Sequence, residues 1–235
     1  MHFGIIAAGE GSRLRQEGVE LPKPLVRLDG TPMIERLTDI FVANGAESVS
    51  IIINEYMTQV ADFLDDLRRR CPVPVEVVVK TTPSSMHSFF EMSNLMRGRG
   101  RFILTTVDTV FRPADFARYV EAFREAPDTV DAMMAVTSFV DDEKPLYVDT
   151  APGTMRITAF SDTPCGRFIS GGIYGLSQPA IGVLDDCMTR GVSRMRNYQR
   201  ALLEAGLNVQ AFDLGKIVDV DHAGDIATAE TFLHS

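Results

Sequence analysis

The chain has 235 residues, of which 45% are hydrophobic and 23% charged, a composition typical of a folded globular protein and not of a disordered or fibrous one. Its 23 basic and 32 acidic residues give a net charge of −9, which excludes a broad basic surface for nucleic acid or anionic lipid. If such a chain binds phosphates, it must do so with a few cationic side chains grouped at one site.

Three scattered cysteines, Cys71, Cys165 and Cys187, form no CxxC pair and no His/Cys cluster at zinc spacing. This argues against a disulfide framework and against structural zinc. No segment approaches the roughly 20 apolar residues of a membrane span, and the N-terminus lacks the pattern of a signal peptide. We therefore predict a reduced, cytoplasmic protein with no membrane and no nucleic-acid partner, and make no prediction of its oligomeric state.

Strand and helix patterns alternate in the first half of the chain. Short apolar runs predict buried strands, and apolar residues at three- and four-residue spacing predict amphipathic helices. In chain order these are strand 2–8, helix 32–44, strand 48–53, helix 60–67, strand 75–80, strand 101–107 and helix 116–123. This succession predicts an α/β fold, with a parallel sheet between two helical layers and right-handed crossovers.

The second half is richer in strand-like segments, which predicts an antiparallel or mixed extension of the same sheet. The segments are 131–140, 144–150, 154–161 and 168–177, followed by two helical segments within 178–205, a strand at 208–213 and a helix at about 223–233. No Pro/Ser-rich linker, repeat or low-complexity tract interrupts the chain. We predict one domain over 1–235, with a first half to about residue 112 and a second half from about 113.

The segment AAGEGSRLRQEGVELPKPL (7–25) follows the first predicted strand. Gly9 and Gly11 lack side chains, so backbone N–H groups there can approach an anion closely. Arg13 and Lys23 are the cations of this loop. We expect Lys23 to lie in a polar loop with no apolar face to bury.

Three interpretations of this loop compete. The segment could be an ordinary glycine-rich turn with surface charges, a dinucleotide-binding fingerprint, or a Walker A loop. The dinucleotide fingerprint fails because Leu14 stands where a third glycine is needed and because the next strand ends over forty residues past Gly11. A Walker A motif, GxxxxGK[ST], is absent.

The three linked blocks AAGEGSRL, PKPLV (22–26) and GTPMI (30–34) resemble the signature of the sugar-1-phosphate nucleotidyltransferases, in their order and spacing. These enzymes belong to the nucleotide-diphospho-sugar transferase superfamily. The resemblance implies a single Rossmann-like α/β/α domain with a mainly parallel mixed sheet and an antiparallel acceptor-side extension. It extends over nearly the whole chain, from Ile5 to about Ala229.

In that family the loop wraps a nucleoside triphosphate. The resemblance implies that Arg13 stabilises the leaving pyrophosphate, that Lys23 contacts the phosphates, and that Ala8 and Gly9 lie near the base. The nucleotide-binding candidates on this basis are Ala8, Gly9, Gly11, Ser12, Ser84 and Ser85. Ser84 and Ser85 stand where similar enzymes have a Gly-Thr-Ala-like turn, and a serine N-cap on the next helix is the alternative.

Acidic residues in two separate segments are candidates for a Mg²⁺ site. Asp108 directly follows an apolar strand, where an Asp can simply end the strand by bonding its own turn. It also matches the metal-binding Asp of similar enzymes. Asp219 and Asp221 lie in KIVDVDHAGDI, which resembles the family element that completes the metal site. This resemblance favours Asp219 as the ligand, with Asp221 as the alternative. From the residues alone, Asp221 or His222 could be the N-cap of the helix that follows.

The acceptor side is predicted from SGGIYGL (170–176), which resembles a family strand whose glycine admits the sugar. Gly171 and Gly172 are therefore the candidates for sugar-phosphate binding. Many members place a Glu-Lys-Pro motif before this strand to hold the phosphate, but here the matching position ends in Asp162. Glu143-Lys144-Pro145 occurs one strand earlier. The acceptor cation is left open among Lys144, Arg156 and Arg167.

The reaction implied by the resemblance is transfer of a nucleotidyl group from an NTP to a sugar 1-phosphate, with release of pyrophosphate. Arg13, Lys23 and Mg²⁺ would neutralise charge, and no general base is needed because the nucleophile is already an anion. The alternatives are a cytidylyltransferase for a non-sugar phosphate such as phosphocholine, a catalytically silent nucleotide-binding regulator, and a glycosyltransferase. The last is disfavoured because Asp108-Thr109-Val110 lacks the second acid of a DxD motif.

Overall fold

The computed structural model describes residues 1–139 and 144–235. The strands of the first half are β1 (His2–Ile6), β2 (Arg27–Leu28), β3 (Thr31–Pro32), β4 (Ser48–Ile53), β5 (Val75–Val79), β6 (Phe102–Thr106) and β7 (Thr109–Val110). Those of the second half are β8 (Ala132–Thr137), β9 (Tyr147–Thr150), β10 (Ile157–Ser161), β11 (Phe168–Leu176), β12 (Val209–Asp213) and β13 (Val218–Asp219).

Eight α-helices are found in the described ranges. They are α1 (Ser12–Gln16), α2 (Met33–Ala43), α3 (Thr58–Arg70), α4 (Ser85–Ser93), α5 (Pro113–Glu125), α6 (Gln178–Thr189), α7 (Met195–Glu204) and α8 (Ala223–Leu233). A short 3₁₀ turn covers Lys23–Leu25. None of the helices in these ranges is both long enough and apolar enough to cross a bilayer.

Strands from both halves of the chain join one nine-stranded sheet. Four of them, in the order β5-β4-β1-β6, are parallel, and β11 then pairs antiparallel with β6. β11 continues the sheet to β9 and β10 on one path and to β8 on another, and β12 pairs parallel with β8. The predicted α/β class, the mainly parallel first half and the mixed antiparallel extension are confirmed.

Alternation along the central strands divides the core between the two faces of the sheet. Ile51 packs into the cluster that holds residues of α2, α3, α5 and α8, whereas Ile52 packs into the cluster that holds residues of α4, α6 and α7. Both side chains are fully buried. Because successive side chains of a strand point to opposite faces, a strand covered on both sides needs a continuous apolar run such as SVSIII.

Three features of the fold are absent from the sequence predictions. The glycine loop contains the short helix α1, β2 pairs with β3, and β7 pairs with β13 in a separate two-stranded ribbon. Elements of two residues or one turn have too few positions to show a periodicity. The strand predicted over 131–140 is observed as the shorter strand β8. The last residue of the prediction, Val140, lies outside the described residues.

We predict that Gly175→Ala destabilises the fold. A Cβ at this position in β11 would lie 2.8 Å from the ring of Phe123, a buried residue of α5. Overpacking of a close contact of this kind lowers the free energy of unfolding by about 1–3 kcal/mol. Urea unfolding measures it. The control is Gly182→Ala in α6, where a Cβ meets nothing within 4 Å, so stability should rise by about 0.5–1 kcal/mol. Equal stability of the Gly175→Ala protein and the wild type would contradict the packing described.

Candidate active site

The site lies where the order of the parallel strands reverses, at the carboxyl ends of β1 and β6. The chain runs from β1 to β4 on one side, whereas β6 lies on the other, which is the position where open α/β sheets form a ligand crevice. Ile6 pairs with Thr106 in the sheet. Ala8 and Asp108, each two residues further along, therefore leave the sheet side by side.

A cavity of about 870 Å³ opens at this point, between the two halves of the chain. Nearly all of the predicted site residues line it, namely Ala8, Gly9, Gly11, Ser12, Arg13, Lys23, Ser84, Ser85, Asp108, Gly172, Asp219 and Asp221. Gly171 is the exception among them. A Cβ on Gly171 would point at Ile217 Cδ1, only 2.3 Å away, so this residue faces the core and not the cavity.

The Lys23 side chain lies at the centre of the half of the cavity that the glycine loop lines, where the sequence predicts the triphosphate. Its ammonium donates hydrogen bonds of 2.6 Å to Asp108 Oδ2 and 2.6 Å to Asp221 Oδ1. The side chain is only 8% exposed. The expectation that Lys23 lies in a polar loop and is not buried is therefore wrong. The segments just after β6 and just before α8, both distant in sequence, cover the lysine side chain.

Charge and burial act in opposite directions on Lys23. Burial lowers the pKa of an ammonium group, but the attraction of Asp108 and Asp221 outweighs it and the pKa of Lys23 is raised above its ordinary value. Burial likewise raises the pKa of Asp108, yet Lys23 and a hydrogen bond from Thr106 hold it below its ordinary value. Lys23 and Asp108 are therefore both charged at neutral pH.

The glycine loop is held over this centre by its own geometry. Gly11 has φ 60, and a Cβ at this position would lie 2.9 Å from Lys23 Cβ, so only a glycine packs against the lysine stem here. The carbonyl oxygen of Ala8 accepts a hydrogen bond from Asn54 at 3.2 Å. Leu14 of α1 is buried and anchors the loop, while Arg13 stays half-exposed in the cavity. Arg13 forms an ion pair of 3.4 Å with Asp221.

A second contact joins the loop to α8. Glu17 accepts hydrogen bonds of 2.6 Å from His222 Nδ1 and 2.6 Å from the backbone N–H of Ala223, and Asp225 caps the same helix. The bond to His222 raises the pKa of that imidazole, and it lowers the pKa of Glu17. The start of α8, which Asp221 precedes by two residues, is therefore fixed against the glycine loop.

Asp219 reaches the cavity from the ribbon of β7 and β13. Its backbone pairs with Thr109, and the N–H of Val220 donates to the carbonyl oxygen of Asp108 at 3.1 Å. This ribbon brings together the two segments that carry the predicted acidic residues, one with Asp108 and the other with Asp219. Tyr174, beside them, is buried, and its pKa is raised by burial and by the negative charges of Asp219 and Asp108.

The donor set fits a magnesium ion held jointly with a bound triphosphate. The described residues contain no cluster of three or more His, Cys, Asp or Glu side chains arranged to hold a metal by themselves. Asp108 and Asp221 nevertheless already converge on one cation, the Lys23 ammonium. Two carboxylates completed by phosphate oxygens and water are the surroundings that Mg²⁺ prefers. In this geometry Asp221, which the sequence ranked second, shares a cation with Asp108.

The half of the cavity next to β11, where the sequence predicts the acceptor, has a glycine in its floor; we call it the acceptor half. Gly172 has φ 73, and a Cβ there would lie 2.6 Å from Thr109 Oγ1 and 3.3 Å from Thr106 Oγ1. The neighbouring Ser170 donates a hydrogen bond of 2.8 Å to the buried side chain of Gln199. This floor offers space and uncharged polar groups to a bound molecule.

Three cations line the wall of the acceptor half: Lys144, Arg194 and Arg196. The predicted alternatives Arg156 and Arg167 do not line the cavity. Arg167 instead lies over the ring of Phe168, 4.3 Å from its centroid. The sequence missed the two arginines because they precede and open α7 in a segment with no motif, and only the return of α7 to the cavity shows their place.

Ser84 connects the two halves of the cavity. Its hydroxyl bonds to His87 Nδ1 at 2.8 Å, to the hydroxyl of Ser193 at 3.3 Å, and accepts from the backbone N–H of Arg194 at 3.3 Å. Ser84 occupies the N-cap position of α4, but its side chain makes no capping bond to that helix. The structure thus uses this hydroxyl to hold the segment before α7.

Comparison with known proteins identifies the chain. A family profile described as the MobA-like NTP transferase domain matches residues 4–162, more than half of the chain. The chain belongs to this family. The resemblance to the nucleotide-diphospho-sugar transferases, based on the three blocks of the glycine loop, is confirmed.

One curated relative is the mannose-1-phosphate guanyltransferase of Yarrowia lipolytica. It is 24% identical over 186 residues, which make up 77% of this chain and 50% of the relative. The chain spans about half the length of the curated relatives that it matches over most of its own length.

Two solved structures share the fold over the whole chain. The inositol-1-phosphate CTP transferase from T. maritima superposes with a TM-score of 0.80 at 17% identity, covering 100% of this chain and 96% of the other. A putative glucose-1-phosphate thymidylyltransferase from Bacillus anthracis superposes with a TM-score of 0.83 at 19% identity and the same coverage. At these identities the likeness concerns the fold.

We predict that Lys23→Met destabilises the protein as well as altering the site. Removing the ammonium leaves Asp108 without its ion-pair partner and leaves Asp221 with only its longer ion pair to Arg13. Because these carboxylates are 25% and 45% exposed, we expect a loss of about 1–3 kcal/mol in unfolding free energy, less than for a fully buried pair. Urea unfolding at pH 7 measures it.

Two further variants make this prediction specific. Asp108→Asn added to Lys23→Met removes one of the opposed charges and should restore part of the lost stability. The control is Lys80→Met, which removes a half-exposed lysine that pairs with Glu91 at 2.8 Å; this loss should stay below about 1 kcal/mol. A Lys23→Met protein as stable as the wild type would contradict the central position of this lysine.

Proposed function

We propose that this chain transfers a nucleotidyl group from an NTP to a sugar 1-phosphate and releases pyrophosphate. The observation that carries the proposal is the cavity itself, in which Arg13 and Lys23 of the glycine loop face a cation-lined wall across one continuous space. An enzyme that joins two phosphate-bearing molecules needs two anion-binding regions that meet at the reacting phosphorus. The relatives named above, one acting on mannose 1-phosphate, support this reading.

In this mechanism the protein positions two anions and neutralises their repulsion. Backbone N–H groups around Gly9 and Gly11 and the guanidinium of Arg13 bind the triphosphate, and Lys23 exchanges its carboxylate partners for phosphate oxygens. Asp108 and Asp221 would hold Mg²⁺, which when bound supplies further charge neutralisation at the phosphates. An acceptor resting on Gly172 then presents its phosphate oxygen for in-line attack at the α-phosphorus.

No protein base is required, because the acceptor phosphate is already an anion at neutral pH. The two histidines nearest the cavity support this view. His87 bonds to Ser84 and His222 bonds to Glu17, and neither ring lines the cavity. We assign both imidazoles to holding the loops in place.

The second candidate is a cytidylyltransferase for a phosphate monoester other than a sugar 1-phosphate. Its support is the similarity in fold to the inositol-1-phosphate CTP transferase. The polar floor formed by Ser170 and Gln199 suits the hydroxyl groups of a cyclitol as well as those of a sugar. An acceptor with an ammonium group, such as phosphocholine, is disfavoured because Lys144, Arg194 and Arg196 line the same wall.

The proposal is tested by measuring pyrophosphate release with ATP, CTP, GTP, UTP and dTTP. Each is combined with glucose 1-phosphate, mannose 1-phosphate, inositol 1-phosphate and phosphocholine. We expect turnover with one sugar or cyclitol phosphate and none with phosphocholine. Arg13→Gln should lower kcat/KM by about 10²–10³-fold, as the loss of an electrostatic stabiliser does, whereas the exposed control Arg167→Gln should leave it within two-fold. Turnover with CTP and phosphocholine alone would reject the sugar 1-phosphate proposal and leave the second candidate, with an acceptor that the cation-lined wall disfavours.

Metal binding is tested separately from turnover, by titration of Mn²⁺ in the presence of the NTP that binds best. We expect Asp108→Asn and Asp221→Asn each to weaken Mn²⁺ at least ten-fold, because each removes a charged oxygen ligand. Asp219→Asn should have a smaller effect, and Asp213→Asn, at the end of β12, should have none. If Asp219→Asn weakens Mn²⁺ and Asp221→Asn does not, the assignment of Asp221 is wrong and the choice made from sequence is right.

The pH dependence follows from the absence of a base. The second ionisation of a phosphate monoester lies near pH 6, so the rate should rise through that region and then level off. His87→Asn and His222→Asn keep a polar group near the Nδ1 position and should leave this profile unchanged. Initial rates between pH 5 and 9 check it. A profile that flattens in either variant, while NTP affinity is intact, would reveal a general base.

A further inference from the structure

The cations of the acceptor wall are not equivalent. Arg196 is engaged within the protein: its guanidinium pairs with Asp162 at 2.7 Å and donates to the carbonyl oxygen of Lys144 at 2.8 Å. Asp162 also pairs with Arg200. Asp162, which stands where the sequence resemblance expects a lysine, is therefore paired with two arginines. Among the described residues, no carboxylate pairs with Arg194, although it lines the cavity.

The backbone of Arg194 is strained. It has φ 74 and ψ 141, a region that glycine occupies and that residues with a Cβ avoid. Asp29 is the other non-glycine residue with a positive φ in the described ranges. Conformations of this kind persist where the surrounding structure imposes them, and they cluster at functional sites.

The surrounding structure here is the hydroxyl of Ser84. It accepts from the N–H of Arg194 and bonds to Ser193, so two consecutive residues before α7 are tied to the start of α4. His87, in the first turn of α4, also bonds to the Ser84 hydroxyl. These contacts tie the strained residue directly to the start of α4.

We propose that Arg194 binds the phosphate of the acceptor and that Ser84 is its positioning residue. This inference rests on the proposed function, because it takes the cation-lined wall as the acceptor side. A guanidinium binds a phosphate with two parallel hydrogen bonds, so its direction matters more than its charge alone. The strained backbone fixes that direction, and Ser84 fixes the backbone. Ser84 thereby acts on the acceptor and not on the nucleotide base.

The test uses methyl phosphate, the smallest monoester with the shared group, and follows its binding by ³¹P NMR titration. All titrations are made with the Arg13→Gln protein, so that the triphosphate half contributes little. Adding Arg194→Gln should weaken methyl phosphate at least ten-fold, and adding Arg194→Lys should weaken it less. The control Arg167→Gln should change it less than two-fold. Because this is a binding measurement, it succeeds or fails even if no acceptor in the turnover panel is used.

The role of Ser84 is tested in the same background. Ser84→Ala should weaken methyl phosphate about three- to ten-fold, and Ser84→Thr, which keeps the hydroxyl, should restore it. Ser84→Ala should have little further effect once Arg194→Gln is present, because a positioning residue acts only through its partner. NTP affinity, measured by calorimetry on proteins that retain Arg13, should change less than two-fold in all of these variants.

The variant Arg194→Gly tests whether the backbone at residue 194 is strained, independently of whether the protein folds. Glycine adopts a positive φ without penalty, so thermal unfolding should shift upward by about 2–6 °C while methyl phosphate binding is lost. Unchanged methyl phosphate affinity in Arg194→Gln overturns the proposal, as does a loss of NTP affinity equal to that of methyl phosphate. Failure of Ser84→Thr to restore binding, or lower NTP affinity in Ser84→Ala, overturns the role of Ser84.

Discussion

The structure of this site depends on one ammonium group placed between two carboxylates. Lys23 joins Asp108, 85 residues away in sequence, to Asp221, 198 residues away, and so connects the glycine loop, the end of a central strand and the start of the last helix. Taking a lysine out of water is unfavourable unless opposite charges replace its hydration. The two carboxylates do this in the structure, so the cavity is assembled around a charge; under the proposed function, phosphates take their place when substrate binds.

Under the proposed function, that arrangement explains how an acidic chain binds highly charged anions. The net charge of −9 is unfavourable for phosphate at long range, but five of the 23 basic residues line one cavity, at two sites. Arg13 and Lys23 occupy one side, and the wall with Arg194 the other. Since low-dielectric walls strengthen short-range charge interactions, a few enclosed cations have more effect than many exposed ones.

The fold and half of the site could be predicted from the sequence because their signals are local. The run SVSIII predicts a strand buried on both faces, and the structure has β4 at those residues. The linked blocks from Gly9 to Ile34 place Arg13 and Lys23 in one phosphate-binding loop. The burial of Lys23 could not be predicted, because the groups that cover it come from α8, at the far end of the chain. Arg194 could not be predicted either, because neither its backbone conformation nor the bond to Ser84 leaves a sequence pattern.

The glycine in the floor at residue 172 has a consequence for how the acceptor could be changed. Any side chain there would collide with Thr109 and Thr106, so this position cannot be substituted without disturbing the sheet. Lys144 and Arg194 lie outside the strands, and Arg196 lies on the first turn of a helix. Under the proposed function, a redesign for another acceptor should therefore need substitutions in two short segments of the wall, with the sheet and its glycine kept.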